Sequence, residues 1–508
     1  MTSWPTSFNA QARHINDSQQ REFADHWYLH QEKDLTIQDG ISYGGLLRLP
    51  VFLLMTETFQ KKTRLDSIWK LVKTIVAMLW MFASLLVRPP KKNPQNQHSG
   101  REYAFLYAKH APTGAIAKTL DPIIQALNTR GESVRLFTFD EKQRDALQTQ
   151  YPTLPCVNLS EGSVSFSHVW SLFRMLVRTT CILLFSAKRA NLFDALGQWY
   201  YHAPRFLQID QSLETELHKD TIIVSATEMH PHERLVFTRA KTRTISTILI
   251  QHGVTDQTIK NQVVNTPSIA SHVFVWGEHA KRYFLKHGVP EQRVTVTGSP
   301  ALTSLFHSLK RPSRETILTP FALPNRAFIL FSGQHFDREK NTALCTLMLE
   351  AYKRFSSMTQ EPPALLITPH PAKSPYSTVS FYTNLVEKHD LNLEGNVFVR
   401  SAKNQIGELL EMADLLITSS STLHVEAAIK GIPVILLNID GVPDMDMVTD
   451  KAARAAHTEE ELTDALRSLQ NPIVRESLQT HVPRFLESYI SYPDNAVTRV
   501  TEKLLTIR

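Results

Sequence analysis

Polar residues gather where hydrophobic runs end in this chain. The run TILI closes in Gln251-His252-Gly253, and the turn that follows carries Asp256. Glu228 follows TIIVSA, Gly333-Gln334 follows AFILFS, and His370-Pro371 follows LLIT-Pro, with Lys373 two positions on. Ser419-Ser420-Ser421-Thr422 follows DLLIT, and Glu426 stands four residues past Thr422. Each residue type suits a different task. Hydroxyls where a helix opens, beside unpaired backbone N–H groups and the positive end of the helix dipole, can cradle a phosphate without a charged side chain. A histidine at a neighbouring strand end can donate to a phosphate oxygen, and Lys373 would add charge. A carboxylate at Glu426 would repel phosphate but could accept from sugar hydroxyls; the other reading is a capped helix with a solvated glutamate. Glu228, His252 and Asp256 are the groups able to take a proton. His230 and His232 lack a third ligand, so no metal site is expected.

These residues need strands to hold them. Tyr103 to Ala108 is a short apolar strand, the loop KHAPTGA (with His110 and Gly114) follows, Ile116 to Asn128 has a helical period, and Val134 to Phe139 is a second strand. That order is a βαβ unit and implies a parallel sheet. The alternation returns through TIIVSA, ISTILIQ, SHVFVWG and RVTVTGS, and again through AFILFSG, ALLITPH, NVFVR, DLLITSS and PVILLN. The expected fold is α/β, with two Rossmann-like doubly wound domains facing a crevice and an N-terminal helical extension. Its expected divisions are an extension with a linker over 1–100, a first domain over 101–302, a second over 303–490, and a terminal helix over 491–508. The Pro-rich, charged stretch near 303–326 is the candidate interdomain linker. In such sheets ligands bind outside the carboxyl ends of the strands, where the polar residues sit.

Composition narrows the partners. The chain has 508 residues, 42% hydrophobic and 20% charged, with a formal net charge of +6. The basic excess is spread without a run, which argues against nucleic acid and fits anionic substrates or anionic lipid. Three cysteines, Cys156, Cys181 and Cys345, lie far apart, which speaks against a disulfide framework and for a reducing compartment. The polar N-terminus lacks a signal-type apolar core. Trp69 to Val87 is apolar and flanked by lysines and arginines, but its uninterrupted part is shorter than the ~20 residues of a membrane span. It reads as an interfacial helix, a core helix or a short membrane span. Ser171 to Ala190 has similar flanks and reads as an amphipathic core helix.

The segments QHGV, VFVWGEHAKRYFLKHGVPEQRVTVTGSP, LLITPHP and DLLITSSSTLHVEAAIKGIPVILLN together resemble GT-B glycosyltransferases of the bacterial capsule and surface-polysaccharide type. They are more distantly similar to the UDP-N-acetylglucosamine 2-epimerases, whose Gly-Thr-Arg-Pro-Glu-type first loop is replaced here by KHAPTGA. The resemblance spans about Tyr103 to Asn438. It implies that Gly333, Gln334, His370, Pro371, Lys373, Ser419 to Thr422 and Glu426 bind a nucleotide-sugar donor. It also implies that His110, Gly114, Gly253, Gly298 and Ser299 line the acceptor side, and that no tightly bound metal or cofactor takes part. The Asp444-Met445-Asp446 triplet mimics a motif of another glycosyltransferase fold and is read as accidental. The expected activity is sugar transfer to a surface glycan or glycolipid, by a cytoplasmic protein peripheral on the inner membrane. The alternatives are a nucleotide-sugar 2-epimerase and a CDP-glycerol-type polyol-phosphate transferase.

Overall fold

The computed structural model describes residues 100–107, 114–162, 205–254, 268–306 and 313–507, apart from 229, 335, 371–373, 390–394, 403–404, 440 and 442–443, together with positions 76 and 170. The apolar stretches at 69–87 and 171–190, and His110, Asp256, Pro371 and Lys373, lie outside the described residues.

The central apolar runs become strands buried on both faces, as parallel strands covered by helices must be. The first sheet holds β1 (Glu102–Leu106), β2 (Ser133–Thr138), β3 (Cys156–Asn158), β4 (Thr221–Ser225), β5 (Ser246–Ile250), β6 (His272–Val275) and β7 (Val294–Val296), ordered β3-β2-β1-β4-β5-β6-β7. The second holds β8 (Phe328–Ser332), β9 (Ala364–Thr368), β10 (Val397–Val399), β11 (Leu415–Thr418), β12 (Val434–Leu437) and β13 (Arg454–Ala456), ordered β10-β9-β8-β11-β12-β13. Their pairings are parallel, with Phe105 opposite Val224 and Phe331 opposite Ile417. Strand order reverses between β1 and β4 and between β8 and β11, and a crevice opens at such points. β3 and β13, which the sequence reading does not include, are edge strands of three residues. Unlike the equally short β7 and β10, whose VTV and VFV are β-branched or aromatic, these segments are CVN and RAA and carry little strand propensity.

The helices that position the site are α1 (Ala115–Thr129), α2 (Pro231–Thr242), α3 (Glu278–Lys286), α4 (Pro300–Phe306), α5 (Arg338–Ser357), α6 (Leu423–Ile429), α7 (Asp446–Thr449), α8 (Val482–Tyr489) and α9 (Ala496–Thr506). The candidate linker is more ordered than its composition implies. Ile317, Leu318, Phe321 and Leu323 are buried in the core of the second half, so these side chains fold the Pro-rich stretch onto it. α4 touches α1, α6 and α9, and so forms a floor shared by both halves.

The terminal helix expected over 491–508 returns to the first sheet. Val500 and Leu504 of α9 pack among Tyr103, Ile124 and Leu127, and Arg101 donates to the Leu505 carbonyl. The chain reaches α9 across the ends of β6 and β7, where two glycines make room. A Cβ on Gly277 would stand 2.6 Å from the Tyr489 carbonyl oxygen, and one on Gly298 would stand 2.4 Å from that of Ser491. Gly298 also has φ +87°, a conformation that costs side-chain-bearing residues roughly 1–3 kcal/mol. Gly298→Ala is therefore expected to lower unfolding free energy by at least that order, read as an earlier urea midpoint. A midpoint unchanged from wild type would show that the return segment does not hold this close contact.

Candidate functional site

Gln251 sets the geometry on the first half. Its side-chain carbonyl accepts from the Trp276 backbone amide at 2.8 Å, and its own backbone carbonyl accepts from the Trp276 indole N–H at 2.7 Å. Its amide nitrogen donates to the Gly253 carbonyl at 2.9 Å, which closes the turn. The polar amide thus satisfies groups at two adjacent strand ends, β5 and β6, that burial would otherwise leave unpaired.

With the turn fixed, His252 is oriented through Nδ1, which donates to the Ala226 carbonyl at the end of β4. In the neutral ring this places the lone pair on Nε2. Burial, reinforced by nearby His230 and opposed by the Ala226 hydrogen bond, lowers its pKa below the ordinary 6.5, so the ring stays a proton acceptor at neutral pH.

Glu228 is 1% exposed, and Oε2 accepts from the amides of Ile269 (2.9 Å) and Ala270 (3.2 Å). These bonds tie the end of β4 to the segment entering β6. Burial raises its pKa, opposed by Arg234, Ser268 and the two amides. Its Oε1 is buried without a hydrogen-bond partner among the described residues.

On the second half, Gln334 donates to the Ser332 carbonyl (3.1 Å) and to the Thr418 hydroxyl (3.0 Å), clasping β8 to β11 at the reversal of strand order. Gly333 admits the Tyr382 ring, since a Cβ there would stand 2.4 Å from the Tyr382 hydroxyl. Both residues therefore set the packing at the end of β8. The His370 amide donates to the Ser377 hydroxyl at 2.9 Å, which folds the following loop back beside it. Ser421 accepts from the Leu423 amide and so caps the start of α6, while Ser419 to Thr422 are all half-buried.

The two halves meet at the predicted strand ends. A Cβ placed on Gly253 would stand 4.0 Å from the Thr422 hydroxyl, and Val254 packs against the core of the second half. Glu426 lies one turn into α6, and burial raises its pKa against the opposing charges of Lys118 and Lys430. Lys118, on α1 of the first half, is a residue the sequence reading misses. Its only sequence signal is its position in the first turn after the KHAPTGA loop. Gly114 precedes α1 and faces open space. Gly298 and Ser299 sit at the floor: Gly298 lies against the return segment, and Ser299 is 1% exposed at the start of α4. His232 is packed between the rings of Phe139 and Phe206. The two aspartates of the Asp444–Asp446 triplet have separate partners, His457 for Asp444 and His279 for Asp446.

Residues 251–490 match the family model of UDP-N-acetylglucosamine 2-epimerase. No match is found among curated protein sequences. Among solved structures, the chain is similar to an S. aureus MnaA-UDP co-structure (14% identity, 80% of this chain and 96% of that one, TM-score 0.52). It is similar to a glycosyltransferase from Rickettsia africae (11%, 81% and 100%, TM-score 0.52). It is also similar to Anabaena Alr3699/HepE in complex with UDP (12%, 80% and 100%, TM-score 0.51). The chain has the two-domain α/β architecture of GT-B proteins, and its second half with the Gln251 turn resembles the epimerase family in sequence.

Glu233, beside this site on α2, gives a measurable signature. It is 1% exposed, and burial pushes its pKa from 4.5 up to about 8, opposed only by its own backbone amide. A carboxyl raised in the fold contributes stability that is whole below pH 4.5 and is lost as pH rises through about 8. Glu233→Gln stays neutral throughout. Wild type is therefore expected to lose stability relative to Glu233→Gln between pH 5 and 8.5, by on the order of a few kcal/mol in paired urea melts. Parallel pH profiles for the two proteins would contradict it.

Proposed function

We propose that the chain is a nucleotide-sugar enzyme that holds a UDP-sugar between the Gln251–Gly253 turn and the Ser419–Thr422 loop, and inverts the sugar at C2. The observation that carries this reading is the approach of Gly253 to Thr422, which joins both halves at one site inside the segment that matches the epimerase family. That two of the similar structures are complexes with UDP supports the choice of nucleotide.

The roles follow from chemistry. Ser419, Ser420 and Thr422, with His370 and the start of α6, hold the diphosphate. Lys373 and Pro371 belong to the same strand-end set by sequence. Glu426, more easily protonated than a surface glutamate, accepts from or donates to sugar hydroxyls, with Lys118 opposite. A hydrogen on C2 is not acidic by itself. Its removal becomes feasible as the C1–O bond breaks: the C–H electron pair forms a C1=C2 double bond while UDP leaves with the C1–O pair. Inversion is completed when UDP adds back to C1 and an acid other than the base delivers a proton to the opposite face of C2. His252, neutral and with Nε2 available, is the base in this reading, and Glu228 is a positioning residue that fixes β4 against β6. Asp256, close in sequence, is a second candidate base.

Glycosyl transfer is the second reading. It is favoured by the cationic apolar stretch at 69–87, which suits a lipid-linked acceptor at a membrane surface, and by the absence of the epimerase-type first loop.

Incubation with UDP-N-acetylglucosamine in D2O, without acceptor, separates the two. The epimerase reading expects deuterium at C2 and a second C2 epimer by NMR. Transfer expects neither, and UDP release only when a glycan or glycolipid acceptor is added. His252→Ala is expected to lower kcat by about 10²–10⁴-fold with UDP binding retained. Because the His252 pKa is lowered, the acid limb of the wild-type rate profile should fall below pH 6.5. A variant with undiminished kcat would remove His252 from the chemistry.

A further inference from the structure

The polar strand-end residues of the second half come from three loops, after β8, β9 and β11, and one buried side chain outside all three joins the first two. Asn341 lies in the first turn of α5 and is 2% exposed. The helix start is fixed without it, since Asp337 caps it by accepting from the Lys340 amide at 2.8 Å. Asparagine is a poor residue for a helix interior, because its amide competes with the backbone for hydrogen bonds. Here that amide serves other segments. Its nitrogen donates to the Gln334 carbonyl at 3.1 Å, to that of Phe336 at 3.2 Å and to that of Tyr376 at 2.9 Å. Three carbonyls converge on a group with two N–H hydrogens, so at least one hydrogen is shared. Each end of this bridge leads to a crevice residue. The Gln334 side chain donates to Thr418, the residue before Ser419. Tyr376 precedes Ser377, whose hydroxyl accepts from the His370 amide at 2.9 Å. Where the strands end, the Gly333 amide already donates to the Thr368 carbonyl at 2.8 Å, and Asn341 extends that register outward into the loops.

We propose that Asn341 is a positioning residue for binding of the diphosphate. It touches no substrate, but it holds the loop after His370 at a fixed separation from Gln334 and, through Thr418, from Ser419 to Thr422. The role rests on the reading that these residues hold the diphosphate of UDP. The separation of two linked phosphates is set by covalent geometry. Groups that grip them from different loops must therefore stand at a matching separation beforehand, or binding must order them at a cost in affinity. The chemistry of the position requires a donor. A carboxylate of the same size would set an acceptor against three carbonyl oxygens and leave buried groups without a hydrogen. None of the partners of Asn341 is a group that exchanges a proton with the sugar, so its effect falls on binding.

Three variants of the full chain test it. Asn341→Asp keeps the size and removes the donors, Asn341→Ala removes both, and Asn341→Ser is a milder change that retains one donor. In the ligand-free protein, hydrogen exchange followed by mass spectrometry is expected to quicken in peptides carrying Gln334 and in those carrying His370 and Ser377. Peptides around Gln251 should exchange as in wild type, which shows that the fold is kept. In calorimetric titration with UDP, Asn341→Asp and Asn341→Ala are expected to bind about tenfold or more weakly than wild type, with Asn341→Ser between. With UDP-N-acetylglucosamine as substrate the loss should appear in KM, with kcat within about twofold of wild type. A side chain that only fills space would leave Asn341→Asp close to wild type in exchange and in UDP affinity, and that result overturns the proposal. A fall in kcat at unchanged KM overturns it as well. If wild type itself does not bind UDP, the reading of the crevice fails, and exchange alone decides the role of Asn341: loops that exchange as in wild type overturn it, and faster exchange in both loops upholds it.

Discussion

The pairing of Gln251 with Trp276 is the constraint on which the site depends. Two hydrogen bonds join the ends of β5 and β6, and a third closes the turn onto Gly253. The Trp276 side chain is buried in the core of the second half, and its backbone carbonyl accepts from Ser491 as the chain turns back toward the first sheet. One residue pair therefore sets the turn that carries His252, the approach of the halves, and the path of the C-terminal return. Each of these is a different link in the chain from sequence to function, and each passes through the same buried amide. An amide suits the position because it donates and accepts at once, which neither a carboxylate nor a methyl group can do.

Electrostatics around the crevice follow from the same closeness of the halves. Burial acts in one direction on every ionisable group there: it keeps His252 neutral and raises Glu228, Glu233 and Glu426. The opposing influences are Arg234 and backbone amides at Glu228, and Lys118 and Lys430 at Glu426. Burial thus weakens the charged form of each of these groups.

Much of this was legible in the residues. Strands buried on both faces read as apolar runs, and the polar residues fall at their carboxyl ends, where open parallel sheets leave their openings. The facing of Gly253 and Thr422 follows from that rule. What was not legible depended on partners distant in sequence. Gln251 reads as an oddity until Trp276 is placed beside it. Glu228 reads as an exposed strand-end base, yet its carboxylate is tied to the amides of Ile269 and Ala270. The stretch around Ile317 to Leu323 reads as a linker, because proline and charge outweigh a few apolar residues whose burial depends on the second half. α9 shows a helical period, but a period says only that one face is covered, not by what.

The return of α9 has a consequence for how the protein is made. β1 and α1 leave the ribosome long before Val500 and Leu504, which cover Tyr103 and Ile124. Until then the first half carries an uncovered apolar strip, and the second half is synthesised before the strip can be sealed. The order of assembly is therefore imposed by the path of the chain. A ribosome-stalled nascent chain ending before residue 496 would present that strip to chaperones, and the folded protein hides it beneath α9.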